Sequence, residues 1–386
     1  MTTGLVASSI LCSSLMIHTN AMVAPMADVG VREFLVKDGR QFLRLTIPLG
    51  DDDGFDSSPE AQDLKIAQEN LELVRLRLEQ VGFTNPSAWG PALKDATMAA
   101  NIIKSNRPFL VSGSDSSSTL SSQAEVIFDN NLIPQLTVLN DAIRVKDVAN
   151  TLTSQELSAK ALADLRLLHL PKKQLPFTIP SEYMKLPRLM GRATVEMVLK
   201  SPRGYRLEDG KTVVPKVALT LELDGYHTPI TAGNFIDLVN RGYYDNMPLQ
   251  RVEELTIQTG ASPGKSSRAT IPLELFYKND KEPVYGITSD DDVRATETMA
   301  LPFQAFGALG MARDNDGADT ASTEFFFLKW KQALIAPGRN TLDGFYSCFG
   351  YVSSNEQLLS QVDLNSDIIE SARVVKCQEN LVLPSD

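Results

Sequence analysis

Histidine and cysteine are scarce, at three residues each in 386, and neither falls into a pattern that catalysis or metal binding requires. His18, His169 and His227 are far apart, and no serine or cysteine nucleophile is spaced to form a triad with them. His169 closes a helical stretch and His227 precedes Thr228-Pro229, so both read as surface or capping residues. Cys348 and Cys377 form no CxxC or zinc-type spacing, and either two buried free thiols or a disulfide fits them. The chain also lacks a P-loop and a glycine fingerprint, so no metal, nucleotide or other cofactor is expected.

Basic charge is short as well. Forty-eight acidic residues face 37 basic ones, for a net charge of -11 without a Lys/Arg block. Such a chain repels a phosphate backbone, and nucleic acid is not an expected partner. Long apolar runs are confined to the start. Gly4 to Val23 is uncharged and mostly small or apolar, followed by Ala24-Pro25-Met26-Ala27. This resembles the core and cleavage region of an export signal over residues 1–27, although no basic residue precedes it. A membrane anchor or disordered leader is the alternative. No later stretch reaches spanning length, so no stable membrane insertion of the mature chain is expected.

What is present is enough for folded domains. A hydrophobic content of 43% against 22% charged residues lies near the globular average, and the length favours two domains. Residues 28–56 read as an extended segment, with Leu43, Leu45 and Ile47 alternating as in a short strand. The run Asp51-Asp52-Asp53-Gly54 reads as a solvated loop, because Leu49 stands where a calcium loop needs its first carboxylate.

Residues 57–170 carry helical periodicity. Ser58-Pro59 starts a helix whose stripe is Leu64, Ala67, Leu71, Val74, Leu78 and Val81, before Gly82. A second helix is expected from near Pro91 to Ser105. A third follows the serine-rich loop 112–118, with a kink at Pro134. A fourth opens on the Thr153/Glu156 capping-box pattern and ends near Leu170. Short connections argue for an antiparallel helical bundle whose stripes form core or a binding groove. Prolines 171, 176, 180 and 187 then mark a linker over 171–191.

From residue 192 the texture is β-rich, with strand patterns at 193–200, 216–223, 254–259, 325–328, 345–352 and 368–377, and one clear helix at 232–241. Many strands and one helix suggest a closed antiparallel β-barrel, which leaves no sheet edge exposed. The whole chain reads as multidomain α + β.

The residues of this half occur in a specific order: Thr231-Ala232-Gly233-Asn234-Phe235, Gly242-Tyr243-Tyr244, Gln250-Arg251-Val252, Ile257-Gln258-Thr259-Gly260, Gly310-Met311-Ala312-Arg313, Glu324-Phe325-Phe326-Phe327 and Leu342-Asp343-Gly344-Phe345. That series, over 192–386, resembles the cyclophilin family of peptidyl-prolyl cis-trans isomerases. Ile179-Pro180-Ser181-Glu182-Tyr183, Met190-Gly191-Arg192 and Leu223-Asp224-Gly225-Tyr226 resemble its multidomain thylakoid-lumen subgroup, which assists photosystem II assembly and maintenance.

The resemblance implies a plastid thylakoid-lumen protein, a foldase or chaperone without cofactor. Its partners would be proline-containing segments, in particular lumenal loops of photosystem II subunits. Arg251 matches the family's catalytic arginine and Gln258 the glutamine that orients the substrate backbone. Leu255, Thr256, Ala312, Arg313, Glu324, Phe326, Leu342 and Tyr346 fall at substrate-binding positions. Rotation about an X–Pro bond crosses a barrier of ~18–20 kcal/mol. A guanidinium aimed at the prolyl nitrogen stabilises the twisted amide more than the planar one.

Several positions depart from the family. Leu255 and Thr256 stand for Phe and Met, Arg313 for Asn, Glu324 for Gln, Thr341 for Trp and Tyr346 for His. Glu253, Glu254 or Glu324 can pair with Arg251 or point to solvent. Three readings therefore stand: an isomerase, weak because of these changes; a non-catalytic assembly factor binding client loops; and a structural subunit with a vestigial barrel.

Overall fold

The computed structural model describes residues 36–50, 54–112, 118–253, 255–261, 269–314, 317–329 and 342–384. The expected leader, the Asp51–Asp53 run, Glu254 and Thr341 lie outside the described residues.

The first described element is a helix, α1 (Gly39–Leu45), where alternation predicts a strand. Asp38 caps it, its carboxylate accepting from the Arg40 amide at 2.9 Å. Tertiary packing overrides the local pattern. Helical spacing places Phe42 and Leu43 in an apolar cluster against the sheet, while Gln41 and Arg44 on the same element reach the buried carboxylate of Glu72.

α2 (Pro59–Val81) begins and ends as its sequence predicts, with Ser58 Oγ accepting from the Ala61 amide at 3.3 Å and Gly82 at φ 94° closing it. α3 (Pro86–Ser105) starts five residues before the expected Pro91, because Asn85 caps it and Pro86 opens it. The short α4 (Arg107–Ser112) has no counterpart in the expectation. α5 (Ser118–Val126) runs through a π-helical turn, Ile127–Leu132, into α6 (Ile133–Val145). The turn lies just before Pro134, whose missing N–H and bulky ring disfavour regular i→i−4 bonding there. α7 (Val148–Leu168) is capped by Asp147, not Thr153. Glu156 instead turns outward from the helix to Arg44, at 2.9 Å. Leu71, Val74, Leu78, Trp89, Ala96, Ile103, Phe128, Leu132, Leu139, Leu162 and Leu165 form one core among these N-terminal helices.

The C-terminal half is a curled antiparallel sheet. Its long strands are β2 (Arg192–Arg206), β3 (Val213–Asp224), β11 (Cys348–Ser354) and β12 (Ile368–Lys376). Shorter ones are β1 (Arg188–Leu189), β4 (Met247–Pro248), β5 (Arg251–Val252), β6 (Thr256–Thr259), β7 (Glu274–Leu275), β8 (Val284–Tyr285), β9 (Ala308–Met311), β10 (Phe325–Leu328) and β13 (Leu381–Val382). Nine pair in the order β4-β12-β2-β3-β11-β9-β10-β6-β5, with β1–β13 and β7–β8 as separate pairs. The end strands, β4 and β5, are consecutive in the chain. Leu249 N–H donates to Asp367, next to β12, at 3.2 Å and Gln250 N–H to Gln258 on β6 at 3.1 Å, so this short segment bonds to the strand beside each end of the sheet.

Alternation turns Val195, Met197, Leu199, Leu219, Leu221 and Leu223 inward. α8 (Pro229–Asn240) lies over them with Phe235 at the centre, its ring 5.0–5.1 Å from Tyr244, Phe325 and Phe349. Ile179, Leu186 and Leu189, from the proline-rich stretch, belong to the same core.

The two halves meet through α1 and the segment after it. Phe42 stacks on Tyr351 at 5.7 Å, and a Cβ at Gly39 would overlap the Tyr351 side chain. Arg166, fully buried on α7, donates to the carbonyls of Arg44, Ile47 and Leu49. His227 is buried, not surface-exposed, and its Nδ1 lies 3.0 Å from Asp224. His169 is the C-cap of α7 but is likewise buried, stacked 4.5 Å from Phe109. Cys348 is a buried free thiol and Cys377 an exposed one, so the expectation of two buried thiols holds for the first alone. Among the described residues, no helix is long and apolar enough to cross a membrane.

Candidate active site

Arg251, Gln258, Phe326 and Gly310 form one row across four strands. Arg251 pairs with Gln258 across β5 and β6, Gln258 with Phe326 across β6 and β10, and Phe326 with Gly310 across β10 and β9. Directly opposed residues share a face of the sheet. The alternate positions Ile257, Phe325, Phe327 and Leu309 fill the interior, so the row faces away from that core.

Gly310 is what lets Phe326 lie flat across this face, since a Cβ there would overlap the ring. Phe326 is then fixed by Phe303, stacked at 5.5 Å, and by the edge of Tyr346 at 5.4 Å. The turn after Leu342 delivers Tyr346: both the Phe345 and Tyr346 amides donate to the Leu342 carbonyl at 3.1 Å. Asp343 within that turn accepts from the Phe303 amide at 2.7 Å. Burial pushes this carboxyl up to about 7.

Above Phe326 lies a cleft of about 560 Å³, lined by Arg251, Glu253, Leu255, Thr256, Gln258, Ala312, Arg313, Asp314, Phe326, Leu342 and Tyr346. Nine of the ten site residues expected from sequence are on that wall. Glu324 acts through a neighbour, accepting from Gln258 Nε2 at 2.8 Å. Ala312 is placed by its amide, which donates to the Glu324 carbonyl at 2.9 Å.

The two guanidiniums of the cleft differ in their partners. Arg251 Nε lies 2.7 Å from Glu253 Oε1, and both side chains are more than half exposed. Of the acidic candidates to engage Arg251, Glu253 does so and Glu324 is committed to Gln258. Arg313 is held by carbonyls instead: Nε donates to Phe345, and Nη1 to Asp314 and Gly317. Its guanidinium also sits 5.5 Å above the Tyr346 ring.

Phe303, Gly310 and Asp343 shape the cleft and are absent from the site residues read from the sequence. Gly310 and Asp343 lie inside the ordered motifs, but nothing in their local pattern shows that one makes room for an aromatic ring and the other ties two loops together. Phe303, between Pro302 and Gln304, carried no signal at all.

The family model for cyclophilin type peptidyl-prolyl cis-trans isomerases matches residues 211–379. A relative from Synechocystis sp., named as a thylakoid lumen peptidyl-prolyl cis-trans isomerase, is 33% identical over 359 residues, 90% of this chain and 84% of its own length. The chain belongs to the cyclophilin-type peptidyl-prolyl cis-trans isomerase family.

The chloroplastic cyclophilin CYP38 of Arabidopsis thaliana is 37% identical over 219 residues, covering 54% of this chain and 48% of that protein. A Cryptosporidium parvum cyclophilin crystallised in the presence of the dipeptide Ala-Pro aligns over 48% of this chain and 99% of its own, at 18% identity and a TM-score of 0.32. Away from the cleft, this cyclophilin carries a buried charge cluster at the join of its halves. Burial would push Asp224 up, but Arg192 at 2.7 Å and His227 at 3.0 Å outweigh it and hold this carboxyl well below the usual range.

Proposed function

We propose that the protein is a peptidyl-prolyl isomerase of the thylakoid lumen that binds proline-containing segments in the Phe326 cleft and turns them over slowly. The observation that carries this is the cross-strand row itself. It sets a guanidinium, an amide and an apolar floor in line along one open cleft. A pyrrolidine ring packs on Phe326 beside Leu342, and Gln258 holds the backbone. Arg251 donates toward the prolyl nitrogen as the amide twists and its lone pair localises.

The substitutions set the rate. Leu255 and Thr256 line a shallower wall than two large side chains would. Glu253 competes with the substrate for Arg251, and Glu324 occupies one donor of Gln258. These pairings favour a second reading, in which the cleft binds client loops without turning them over. Location and client class rest on the names of the relatives and on the resemblance to lumenal multidomain cyclophilins. The resemblance alone implies lumenal loops of photosystem II subunits as clients.

In this reading the chain divides into a helical bundle over 57–170, a connector over 171–191 and a closed barrel over 192–386. The shared core of the helices supports the bundle. Closure is supported by the hydrogen bonds of Leu249 to Asp367, next to β12, and of Gln250 to Gln258 on β6, the strands beside the two end strands of the sheet.

Titration of the isotope-labelled full chain with an Ala-Pro peptide tests the site. Shifts should centre on Phe326, Gln258 and Tyr346 and weaken at least tenfold in Phe326→Ala. Shifts confined to the helices would place binding elsewhere.

A further inference from the structure

Arg313 differs from the other cleft cation in what holds it. A guanidinium has five N–H donors. Three are assigned: Nε to the Phe345 carbonyl at 2.7 Å, and Nη1 to the carbonyls of Asp314 at 3.0 Å and Gly317 at 3.2 Å. The plane also lies over the Tyr346 ring at 5.5 Å. These partners fix the group but are neutral, so they leave its charge uncancelled. Among the described residues, no carboxylate lies within ion-pair distance of it, whereas Arg251 in the same cleft is engaged by Glu253 at 2.7 Å. The Nη2 donors, both on one nitrogen, have no partner among the described residues. In a chain with net charge -11, a fixed cation that no carboxylate engages among the described residues is available to an external anion.

We propose that Arg313 is a specificity residue, selecting client segments that carry a carboxylate side chain beside the proline. This rests on the reading of the Phe326 cleft as the prolyl site. Its geometry suits the task. The guanidinium is already held by carbonyls and an aromatic face, so little side-chain entropy is lost when Nη2 donates to a carboxylate. A charge-assisted bond of this kind is about twice as strong as a neutral one. The cleft wall carries Asp314 and Glu253 as well, which disfavours a dense acidic run and favours a single acidic residue. No covalent step is involved.

The test uses the full chain and end-blocked octapeptides with one proline, carrying Glu, Gln or Lys immediately before or after it. Dissociation constants are read by calorimetry at low and high salt. In at least one position Glu should bind about five- to tenfold more tightly than Gln, and Lys more weakly than either. The advantage should shrink as salt rises and fall below twofold in Arg313→Gln. Equal binding of Glu and Gln peptides by the wild type overturns this inference while leaving the prolyl cleft standing. A Glu preference that persists in Arg313→Gln also overturns it, by assigning selection to another cation. Failure of every peptide to bind overturns the cleft reading and the inference with it.

Discussion

Arg251 and Glu253 are two residues apart in the chain and close an ion pair at 2.7 Å on the lip of the cleft. The Glu253 amide donates to the Thr256 carbonyl at 2.8 Å, which holds the carboxylate next to the strand that presents the arginine. Because both groups are largely exposed, the pair contributes about 0.2–1 kcal/mol. Glu253→Gln should therefore raise kcat/KM on an Ala-Pro peptide about two- to fivefold, with the gain largest at low ionic strength. An unchanged or lower value in a protease-coupled assay would show that Glu253 does not restrain Arg251.

Gly310 tests the floor of the cleft. Gly310→Ala pushes a Cβ into the Phe326 ring, which Phe303 and Tyr346 prevent from sliding aside. Overpacking of this kind costs about 1–3 kcal/mol. Peptide affinity should fall about tenfold or more while far-ultraviolet dichroism stays native. Full affinity in a folded variant would mean that Phe326 is not the surface on which proline rests.

Asp224 holds Arg192, whose Nη2 also donates to Thr46 Oγ1 at 3.4 Å across the join of the two halves. It is fully buried and accepts from Arg192, from His227 and from the amides of Tyr226 and His227. Asp224→Asn leaves the half-buried Arg192 guanidinium without its counter-charge, which should cost about 2–4 kcal/mol. The folded carboxyl is depressed, so its stabilisation is present above the ordinary carboxylate range and is lost as pH falls below about 4. Urea unfolding should show the variant losing its disadvantage only in strong acid. A uniform loss at every pH would assign the effect to packing.

Glu274 gives the opposite slope. It accepts from the amides of Ile230 at 3.2 Å and Thr231 at 2.9 Å at the start of α8, yet burial raises it from 4.5 to about 7. Between those values the folded state holds the proton more tightly than the unfolded one. Stability from this group therefore falls as pH rises from about 4.5 to 7, by roughly 2–3 kcal/mol. Glu274→Gln should remove that dependence, so the variant gains on the wild type between pH 5 and 8. Parallel unfolding midpoints across that range would contradict it.

Where one element sufficed, the sequence was legible. Ser58-Pro59 and Gly82 delimit α2 to the residue, and the inward alternation of Val195, Met197 and Leu199 marks β2. The cleft was legible because its residues lie in ordered motifs. Legibility failed where partners distant in sequence decide the outcome. Gly39–Leu45 is a helix because Tyr351, Glu72 and Glu156 receive its side chains. His227 lies in a turn as its sequence predicts, but its burial against Asp224 and Phe276 comes from the fold, and Phe303 has meaning only against Phe326.

The most direct test compares the full chain with Arg251→Ala in a protease-coupled assay on an Ala-Pro peptide, together with peptide affinity by titration. The wild type should isomerise the peptide slowly but measurably. Substitution should lower kcat/KM about a hundredfold or more while affinity changes only a few-fold, because the donor acts mainly on the twisted amide. Equal turnover by the two proteins would contradict this role of Arg251.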